Sequence, residues 1–254
     1  MSRSLYIAAS GMAAQQSRLD TVANNIANVG TTSFKRSRGA FEDMLYQEVA
    51  TTAGVEGGTA EVGGGVRLAS LERDFRQGSL TETGNDLHIA ISGSGFLQLD
   101  NVDGEPVYTR DGTLGRASDG TLVNATGLRV GGDIVIPEEV QRVVIDEDGT
   151  VRGVVAGGTD EMVLGQLELA VFENPVGLRS LGGNLYAATP DSGDGQRWTA
   201  GQDGVVTQGF LEGSNVDVAQ ELITLIEAQR AYELNSKVVQ AADEAMQVAS
   251  NLKR

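Results

Sequence analysis

The sequence predicts an α+β fold, in which long N- and C-terminal helices pair as a coiled coil and a central domain is mostly antiparallel β-structure. Three features predict this fold. The segment 4–29 contains one glycine and no proline, and the segment 217–254 contains neither residue. Between them, the segment 66–209 consists of short apolar-alternating runs separated by Asp-Gly dipeptides, which favour tight turns.

The N-terminal segment carries apolar residues at heptad spacing, which is typical of a helix that packs along one side. One series repeats every seven residues, and a second series begins three positions later. The members are Leu5, Met12, Leu19 and Ile26 in the first series and Ala8, Gln15, Val22 and Val29 in the second. An ordinary amphipathic helix on a globular core is the alternative interpretation of this pattern.

The C-terminal segment carries a second heptad stripe, in which small residues would let a partner helix approach closely. Asn215 or Asp217 is the expected N-cap of this helix. The stripe consists of Ala231, Leu234, Val238, Ala241, Ala245, Val248 and Leu252, and it is widened upstream by Leu222, Leu225, Ile226 and Tyr232. Because similar stripes occur at both chain ends, we expect the two helices to pair with each other.

The middle of the chain is predicted to form a sandwich or an irregular barrel of short antiparallel strands. The strand candidates are 87–92, 107–109, 122–124, 143–145, 151–155 and 167–172, and the Asp-Gly turns begin at Asp103, Asp111, Asp119, Asp148, Asp194 and Asp203. The Gly-rich segment 47–65 is either a flexible linker or a long exposed hairpin. The expected divisions are 1–46 (N-terminal helical segment), 47–80 (linker or hairpin), 81–210 (β domain) and 211–254 (C-terminal helix).

Composition argues against several classes of function. The 254 residues carry 19 basic and 35 acidic side chains, and this net charge of −16 disfavours binding to nucleic acid or to an anionic membrane surface. The chain has no cysteine, so disulfides and thiolate metal sites are excluded. No apolar run is long enough for a membrane helix, and the N-terminus does not resemble a cleaved secretory signal, so we expect no membrane insertion.

No motif predicts catalysis, so we expect neither an enzyme, a cofactor nor a metal site. The run from Asp146 to Gly149 resembles the start of a calcium-binding loop, but Gly157 stands where such a loop needs a bidentate glutamate. A solvated hairpin turn is the preferred interpretation. His88 is the one histidine, has no nucleophile motif nearby, and is expected on the polar face of a strand.

Several longer motifs resemble the axial proteins of the bacterial flagellum, a family of rod, hook and hook-associated proteins. The motifs are LDTVANNIANV at 19–29, FKR at 34–36, RGAFEDMLYQ at 38–47, YTRDG at 108–112, GTLV at 120–123, SNVDV at 214–218 and AQRAYELNSK at 228–237. The resemblance covers nearly the whole chain and is greatest to the distal-rod members. The paired terminal motifs are specific to the axial family.

This resemblance implies a structural subunit of the flagellar distal rod, exported without a cleaved signal by the flagellar type III apparatus. Such subunits form a homo-oligomeric helical polymer in the basal body, a tubular drive shaft that spans the periplasm and transmits torque from the motor to the hook. The implied partners are proximal rod subunits, the hook protein, and the periplasmic and outer-membrane rings. The assembly interface is expected at Leu5, Met12, Leu19, Val22, Asn25, Ile26, Asn28, Leu222, Leu225, Arg230, Leu234, Val238, Ala241, Ala245 and Val248.

The chain departs from the family pattern at Ser33, where the family usually has glycine before Phe-Lys. A turn that needs a positive φ would be strained by serine at this position. Leu114 also replaces an aromatic residue that usually follows the Asp-Gly pair. Another axial subunit, a proximal rod or hook protein, is the alternative within the family. A secreted acidic calcium-binding β-protein is the alternative from a different class.

Overall fold

The computed structural model describes residues 3–45, 47–50, 59–101, 105–155 and 161–251, and the chain divides into two compact units. The helical unit comprises Met1–Ala27, Ser37–Asp74 and Asp217–Arg254. The β unit comprises Asn28–Arg36 and Phe75–Val216. The two terminal helices and the antiparallel strands between them confirm the predicted α+β class.

The helical unit contains the two terminal helices and four strands. Its elements are α1 (Arg3–Ala27), β1 (Ser37–Asp43), β2 (Gln47–Ala50), β3 (Thr59–Val62), β4 (Val66–Arg73) and α2 (Val218–Asn251). β1 pairs with β4 and β2 pairs with β3, in each case antiparallel. Of the two alternatives for 47–65, the β2–β3 pairing favours a hairpin, although its residues 51–58 lie outside the described residues.

Asp217 is the residue that caps α2, one of the two predicted candidates. Its Oδ1 accepts hydrogen bonds from the backbone N–H groups of Ala219 at 2.9 Å and Gln220 at 3.3 Å. These bonds satisfy two of the N–H groups that the first turn of a helix leaves without helical partners. The other candidate, Asn215, has a different role, because its Oδ1 accepts the backbone N–H of Arg36 in the β unit at 2.8 Å.

The β unit consists of short strands and one 3₁₀ turn, at Pro175–Gly177. Among the described residues, the strands are β5 (Leu80–Glu82), β6 (Ile89–Gly93), β7 (Phe96–Asp100), β8 (Pro106–Thr109), β9 (Leu114–Arg116), β10 (Leu122–Asn124), β11 (Arg129–Val130), β12 (Val140–Ile145), β13 (Thr150–Val155), β14 (Glu161–Gln166), β15 (Leu169–Val171), β16 (Arg179–Gly182), β17 (Leu185–Ala187), β18 (Gln196–Arg197), β19 (Gly204–Gln208) and β20 (Phe210–Glu212). All six strand candidates overlap a strand, namely β6, β8, β10, β12, β13 and β15.

The strands pair in four antiparallel sheets. The largest follows the order β16-β17-β8-β7-β11-β10-β9, with β15 also beside β7 and β18 beside β15. A three-stranded sheet has the order β12-β13-β14, and two further pairs are β6 with β19 and β5 with β20. The last pair joins a strand near the start of the unit to the strand that ends just before α2.

Two of the Asp-Gly sites are hairpin turns, as predicted. Asp119 lies between the paired strands β9 and β10, and Asp148 lies between the paired strands β12 and β13. The backbone N–H of Thr150 donates to the Asp148 carboxylate at 2.9 Å and lowers the pKa of that carboxyl group. The carboxylate thus favours the tight turn because it satisfies a backbone N–H group just beyond it.

The hairpin prediction is wrong for Asp111, Asp194 and Asp203, and the site at Asp103 lies outside the described residues. Asp194 lies between β17 and β18, and Asp203 lies between β18 and β19, but the strands of neither pair are hydrogen-bonded to each other. Asp111 and Gly112 join β8 to β9, but β8 pairs with β7 and β17, whereas β9 pairs with β10. Glycine is required here for a different reason. A Cβ on Gly112 would lie 1.8 Å from the carbonyl oxygen of Ile89, so two backbone segments can meet at this point only without a side chain.

The β unit has a continuous apolar core. Its least exposed members include Ile89, Leu97, Leu99, Leu122, Ile134, Val151 and Val206. Trp198, the one tryptophan, packs on this core and donates its Nε1–H to the carbonyl oxygen of Ser94 at 2.9 Å. A Cβ on Gly95 would lie 2.9 Å from the Trp198 ring. The Gly93-Ser94-Gly95 motif is therefore a turn that accommodates an indole.

A second buried cluster is aromatic. Phe96, Tyr108, Phe172 and Tyr186 meet edge to face, with ring centroids 4.8 to 6.0 Å apart. This geometry is the one that aromatic quadrupoles favour. Burial raises the pKa of the Tyr108 hydroxyl, and the charge of Asp194 raises it further. These four aromatic residues thus form a second core.

Candidate functional site

Side chains that could have belonged to a catalytic or metal site have structural partners. His88 forms hydrogen bonds with Thr83 at 2.9 Å and with Asn85 at 3.2 Å. Asp146 lies at the β12–β13 turn, as predicted, and its carboxylate forms an ion pair with Arg152. Across the parts of the chain that the structure describes, no cluster of acidic or histidine side chains is arranged to hold a metal ion, and no helix is long and apolar enough to cross a membrane.

The helical unit brings the two ends of the chain together. Three contacts join the helices, namely Gly11 with Asn235, Arg18 with Glu227, and Asn25 with Glu221. Residue numbers rise along α1 as they fall along α2, so the helices are antiparallel. The three α1 residues are spaced by seven, which places them on one side of the helix. A Cβ on Gly11 would lie 2.9 Å from the Asn235 amide nitrogen, so the helices approach closely there.

Asn25 is the most constrained of these contact residues, since it is 1% exposed. Its Nδ2 donates to Glu221 Oε2 at 3.2 Å and to the Ser37 carbonyl oxygen at 2.9 Å. Its Oδ1 accepts the backbone N–H of Ser37 at 2.9 Å. One amide thus joins α1, α2 and the start of β1. Replacing it would leave buried polar groups without partners, which is costly.

The predicted assembly residues fall into three groups in the structure. Val22 and Asn25 are buried inside the helical unit. The half-buried group consists of Leu5, Met12, Leu19, Ile26 and Leu225 in the helical unit and Asn28 in the β unit. The exposed group consists of Leu222, Arg230, Leu234, Val238, Ala241, Ala245 and Val248. The exposed group is not packed between the two helices.

Helix α2 therefore has two sides with different surroundings. The inner side contains Ala228, fully buried and one heptad from both Glu221 and Asn235. The other side is an outer stripe of large side chains that are 46% to 62% exposed, namely Leu222, Ile223, Ile226, Leu234, Val238 and Val248. Sequence reasoning missed Ile223, because this residue belongs to neither heptad series.

The β unit contains a buried ionic cluster that sequence reasoning did not predict. Lys35 Nζ lies 2.6 Å from Glu212 Oε1, and Arg110 Nε lies 3.1 Å from Glu212 Oε2. The side chains of Lys35 and Glu212 are 0% exposed and that of Arg110 is 3% exposed. Lys35 and Arg110 lie in the FKR and YTRDG motifs. Their positions in these motifs were the sequence signal that could have pointed to the cluster.

Hydrogen bonds to the backbone hold the cluster in place. Lys35 Nζ also donates to the Arg76 carbonyl oxygen at 2.9 Å. Arg110 donates to the carbonyl oxygens of Ile91 at 3.0 Å and Gly93 at 2.7 Å. Buried charges are tolerated where the partners and geometry are this complete, and removal of one partner is strongly destabilising.

Ser33 lies beside this cluster, and its turn has the positive φ under which serine is strained. Its φ is +54°, in the left-handed region that favours glycine. The side chain makes a bond that glycine could not make, because Ser33 Oγ donates to the Arg110 carbonyl oxygen at 2.7 Å. The backbone N–H of Ser33 donates to the Glu212 carbonyl oxygen at 2.8 Å. The strain is thus accompanied by a compensating buried hydrogen bond.

Sequence models of three protein families match the chain in order along its length. They are the flagella basal body rod protein at 5–35, the flagellar hook protein FlgE/F/G D1 domain at 90–153, and the flagellar basal body rod FlgEFG protein C-terminal at 207–252. The first match lies mostly on α1 and the third mostly on α2. The second covers β7 to β13, in the middle of the β unit.

Full-length relatives carry one shared description, flagellar basal-body rod protein FlgG. The protein from Agrobacterium fabrum is 44% identical over 99% of this chain and 100% of its own length. The protein from Buchnera aphidicola subsp. Acyrthosiphon pisum is 43% identical over 98% of this chain and 99% of its own length. The protein from Borreliella burgdorferi is 41% identical over the whole of both chains.

These relatives are structural components of the flagellar rod, and the identity extends over nearly complete chains. The chain belongs to the flagellar basal-body rod family, close to the distal rod protein FlgG, and is a structural protein of the flagellar basal body rather than an enzyme.

Proposed function

We propose that this chain polymerises with copies of itself into a helical tube, the distal rod, which acts as a drive shaft and carries torque from the motor to the hook. Contacts that run head to tail without closing into a ring generate such an open helix. Proximal rod subunits and the hook protein are the neighbours along the shaft, and the periplasmic and outer-membrane rings surround it. Export through the flagellar type III apparatus delivers the chain to the growing end.

The outer stripe of α2 is the observation that carries this proposal. A helix already packed on α1 through its inner side leaves six large apolar side chains half exposed on its other side. Large apolar side chains that are exposed together along one side of a helix mark an interaction site in a soluble protein. The stripe runs from Leu222 to Val248, most of the length of α2, and such a strip suits lateral packing against other helices.

Burial of this stripe can supply part of the free energy of assembly. Fully burying one Val, Leu or Ile side chain contributes roughly 1.5–3 kcal/mol. The six side chains of the stripe are about half exposed, so covering the remainder contributes roughly 5–9 kcal/mol per subunit before entropic costs. In the polymer, we propose that α1 and α2 act as a coiled coil whose outer stripe meets the same helices of neighbouring subunits. Segments 1–46 and 211–254 then form the helical part of the tube, 81–210 its β domain and 47–80 the connection.

The test is to place a charge in the outer stripe. Val238→Asp should leave the isolated subunit folded, because Val238 is 48% exposed, but it should bury an unpaired carboxylate in the polymer. Cells with this variant should lack hooks on purified basal bodies and should not swim. The fold is checked by Trp198 fluorescence and by circular dichroism at 222 nm.

Gln229→Asp is the matched control, because Gln229 is exposed on the same helix and lies nine residues, or two and a half turns, from Val238, on the other side of the helix. It should give normal hooks and swimming. Normal motility with Val238→Asp would refute the role of the stripe, and loss of hooks with both variants would show that α2 tolerates no added charge anywhere.

A further inference from the structure

The buried ionic cluster joins parts of the chain that are far apart in sequence. Lys35 follows the N-terminal helix, Arg110 lies after β8, and Glu212 is the last residue of β20, just before the C-terminal helix. The Lys35–Glu212 pair spans 177 residues. Two cations therefore share one carboxylate, which the chain supplies only near its C-terminal end.

The same place holds the two segments that connect the β unit to the helices. These are the entry segment, 28–36, and the exit segment, 210–216. The Ser33 N–H donates to the Glu212 carbonyl oxygen at 2.8 Å, and the Arg36 N–H donates to Asn215 Oδ1 at 2.8 Å. In the other direction, the Asn215 N–H reaches the Phe34 carbonyl oxygen at 3.4 Å. The two segments therefore bind each other along their length inside the β unit.

A third segment completes the arrangement. The Arg76 carbonyl oxygen accepts bonds from Lys35 Nζ and from Asn215 Nδ2, both at 2.9 Å. The Gly78 N–H donates to Glu212 Oε1 at 2.8 Å. A Cβ on Gly78 would lie 2.1 Å from the Gly213 carbonyl oxygen, so the 76–78 segment lies directly against the exit segment. Entry segment, exit segment and residues 76–78 thus share one buried polar network.

We infer that Lys35, Arg110 and Glu212 form a closing clamp of the β unit, which makes the entry and exit segments open and close as one cooperative element. Without Glu212, Lys35 and Arg110 would both lose the carboxylate that they share while buried, so the entry segment cannot be held in its native place until the exit segment has joined it. The β unit is therefore completed last at the point where both of its ends meet. The inference concerns the isolated chain and does not depend on polymerisation.

The experiment is native-state hydrogen exchange on the full-length chain. In the wild type, the amides of Ser33, Arg36, Gly78 and Asn215 should share one opening free energy and one dependence on urea, because a single event exposes them. Glu212→Gln should raise the exchange rates of Ser33, Arg36 and Asn215 together, by about a hundredfold or more, as the loss of a buried charge partner predicts. Exchange in the core strand β7 should rise less.

Two further variants separate a clamp from general destabilisation. Lys35→Met removes a cation at similar volume, and combining it with Glu212→Gln should raise the rates by less than the product of the two single effects. Glu161→Gln is the matched control, since it breaks the Arg152–Glu161 pair, whose carboxylate is 47% exposed, and it should leave the four amides unchanged.

Asn215→Ala keeps all three charges. If Trp198 fluorescence shows that Glu212→Gln does not fold, Asn215→Ala tests whether the entry and exit segments open together. It removes the side-chain bonds to Arg36 and Arg76, and it should accelerate Ser33 and Gly78 together with Arg36. Independent exchange of the entry and exit amides in the wild type, or acceleration confined to Arg36 in Asn215→Ala, would overturn the clamp.

Discussion

The two units of the molecule bury different kinds of side chain. The β unit buries large apolar residues such as Leu97, Leu99 and Ile89, none more than 1% exposed. The helical unit buries small or polar residues, among them Ala8, Ala14, Ala228, Asn25 and Glu221. Its large apolar side chains are mostly half-buried or exposed, including the whole outer stripe of α2.

This difference teaches that the two units depend on different partners for stability. The β unit contains its own core and should be stable within a single chain. Helices gain most of their stability from packing an apolar face, and α2 leaves its outer stripe without that packing. We propose that the apolar burial of the helical unit is completed in the polymer, and the following predictions test this contrast.

The largest expected effect is a contrast between two leucine deletions. Leu97→Ala in the β core should lower the free energy of unfolding of the β unit by about 2–5 kcal/mol. Leu234→Ala in the outer stripe should change the stability of the isolated chain by less than about 0.5 kcal/mol, because Leu234 is 62% exposed. Urea unfolding followed by Trp198 fluorescence measures the first, and circular dichroism at 222 nm measures the second.

In cells, the two leucine variants should differ in the opposite way, and Leu234→Ala should impair rod assembly more than Leu97→Ala does. Leu234→Ala should weaken rod formation, although its monomer is stable. An isolated chain in which Leu234→Ala is as destabilising as Leu97→Ala would mean that the outer stripe is already covered within one subunit.

A smaller effect is expected from Asn25, which joins α1, α2 and β1. Asn25→Ala removes three hydrogen bonds and leaves the backbone groups of Ser37 without this partner, so it should cost about 1–3 kcal/mol. The loss should appear in the helical signal at 222 nm and not in Trp198 fluorescence. Asn24→Ala, at a neighbouring exposed position, is the control. A parallel loss in the Trp198 signal would show that the two units do not unfold separately.

The smallest effect concerns Ser33 and compares two substitutions at one position. Ser33→Ala keeps the strained φ and loses the bond from Ser33 Oγ to the Arg110 carbonyl oxygen, so the β unit should be destabilised by about 1 kcal/mol. Ser33→Gly loses the same bond but relieves the strain, which costs a non-glycine residue about 1–2 kcal/mol, so its net effect should be close to zero. Urea midpoints measure both. If Ser33→Gly is less stable than Ser33→Ala, the claim that the positive φ of Ser33 is strained is wrong.

The secondary structure was predictable because its signals are local. The runs at 4–29, with one glycine and no proline, and at 217–254, with neither, correspond to α1 and α2 within a few residues. The Asp-Gly pairs at Asp119 and Asp148 mark hairpins. The family pattern with glycine before Phe-Lys left open whether the turn at Ser33 needs a positive φ, and the structure shows that it does.

The side of α2 that faces α1 was not predictable from hydrophobicity. The contacts use Glu221, Ala228 and Asn235, which a search for apolar heptads passes over. The predicted stripe through Leu234, Val238 and Val248 is real as a pattern, but its members are exposed in the single chain. A helix that can pack on two sides carries two overlapping residue patterns. The sequence does not show which of the two sides of α2 packs against α1.

The ionic cluster was not predictable for a related reason. Lys, Arg and Glu are normally solvent-exposed, so composition alone places them on the surface. Their burial here follows from contacts across 177 residues between Lys35 and Glu212, and no local pattern encodes such a distance. The Asp111-Gly112 pair failed as a hairpin signal in the same way, because its glycine serves a distant strand.

The unequal lengths of the two helices have a consequence for any stack of these subunits. α2 has 34 residues and α1 has 25, so α2 is longer by nine residues, or about 13 Å at the rise of an α-helix. The antiparallel contacts align the start of α2 with the end of α1, so the excess lies at the C-terminal end of α2, where Met246 and Val248 are exposed. In a polymer, this overhang would reach past the end of its partner helix α1, and the joints between the helices of successive subunits would be staggered. Every plane across the polymer would then cut through continuous helices as well as through joints between subunits. These continuous helices would bear a bending or twisting load.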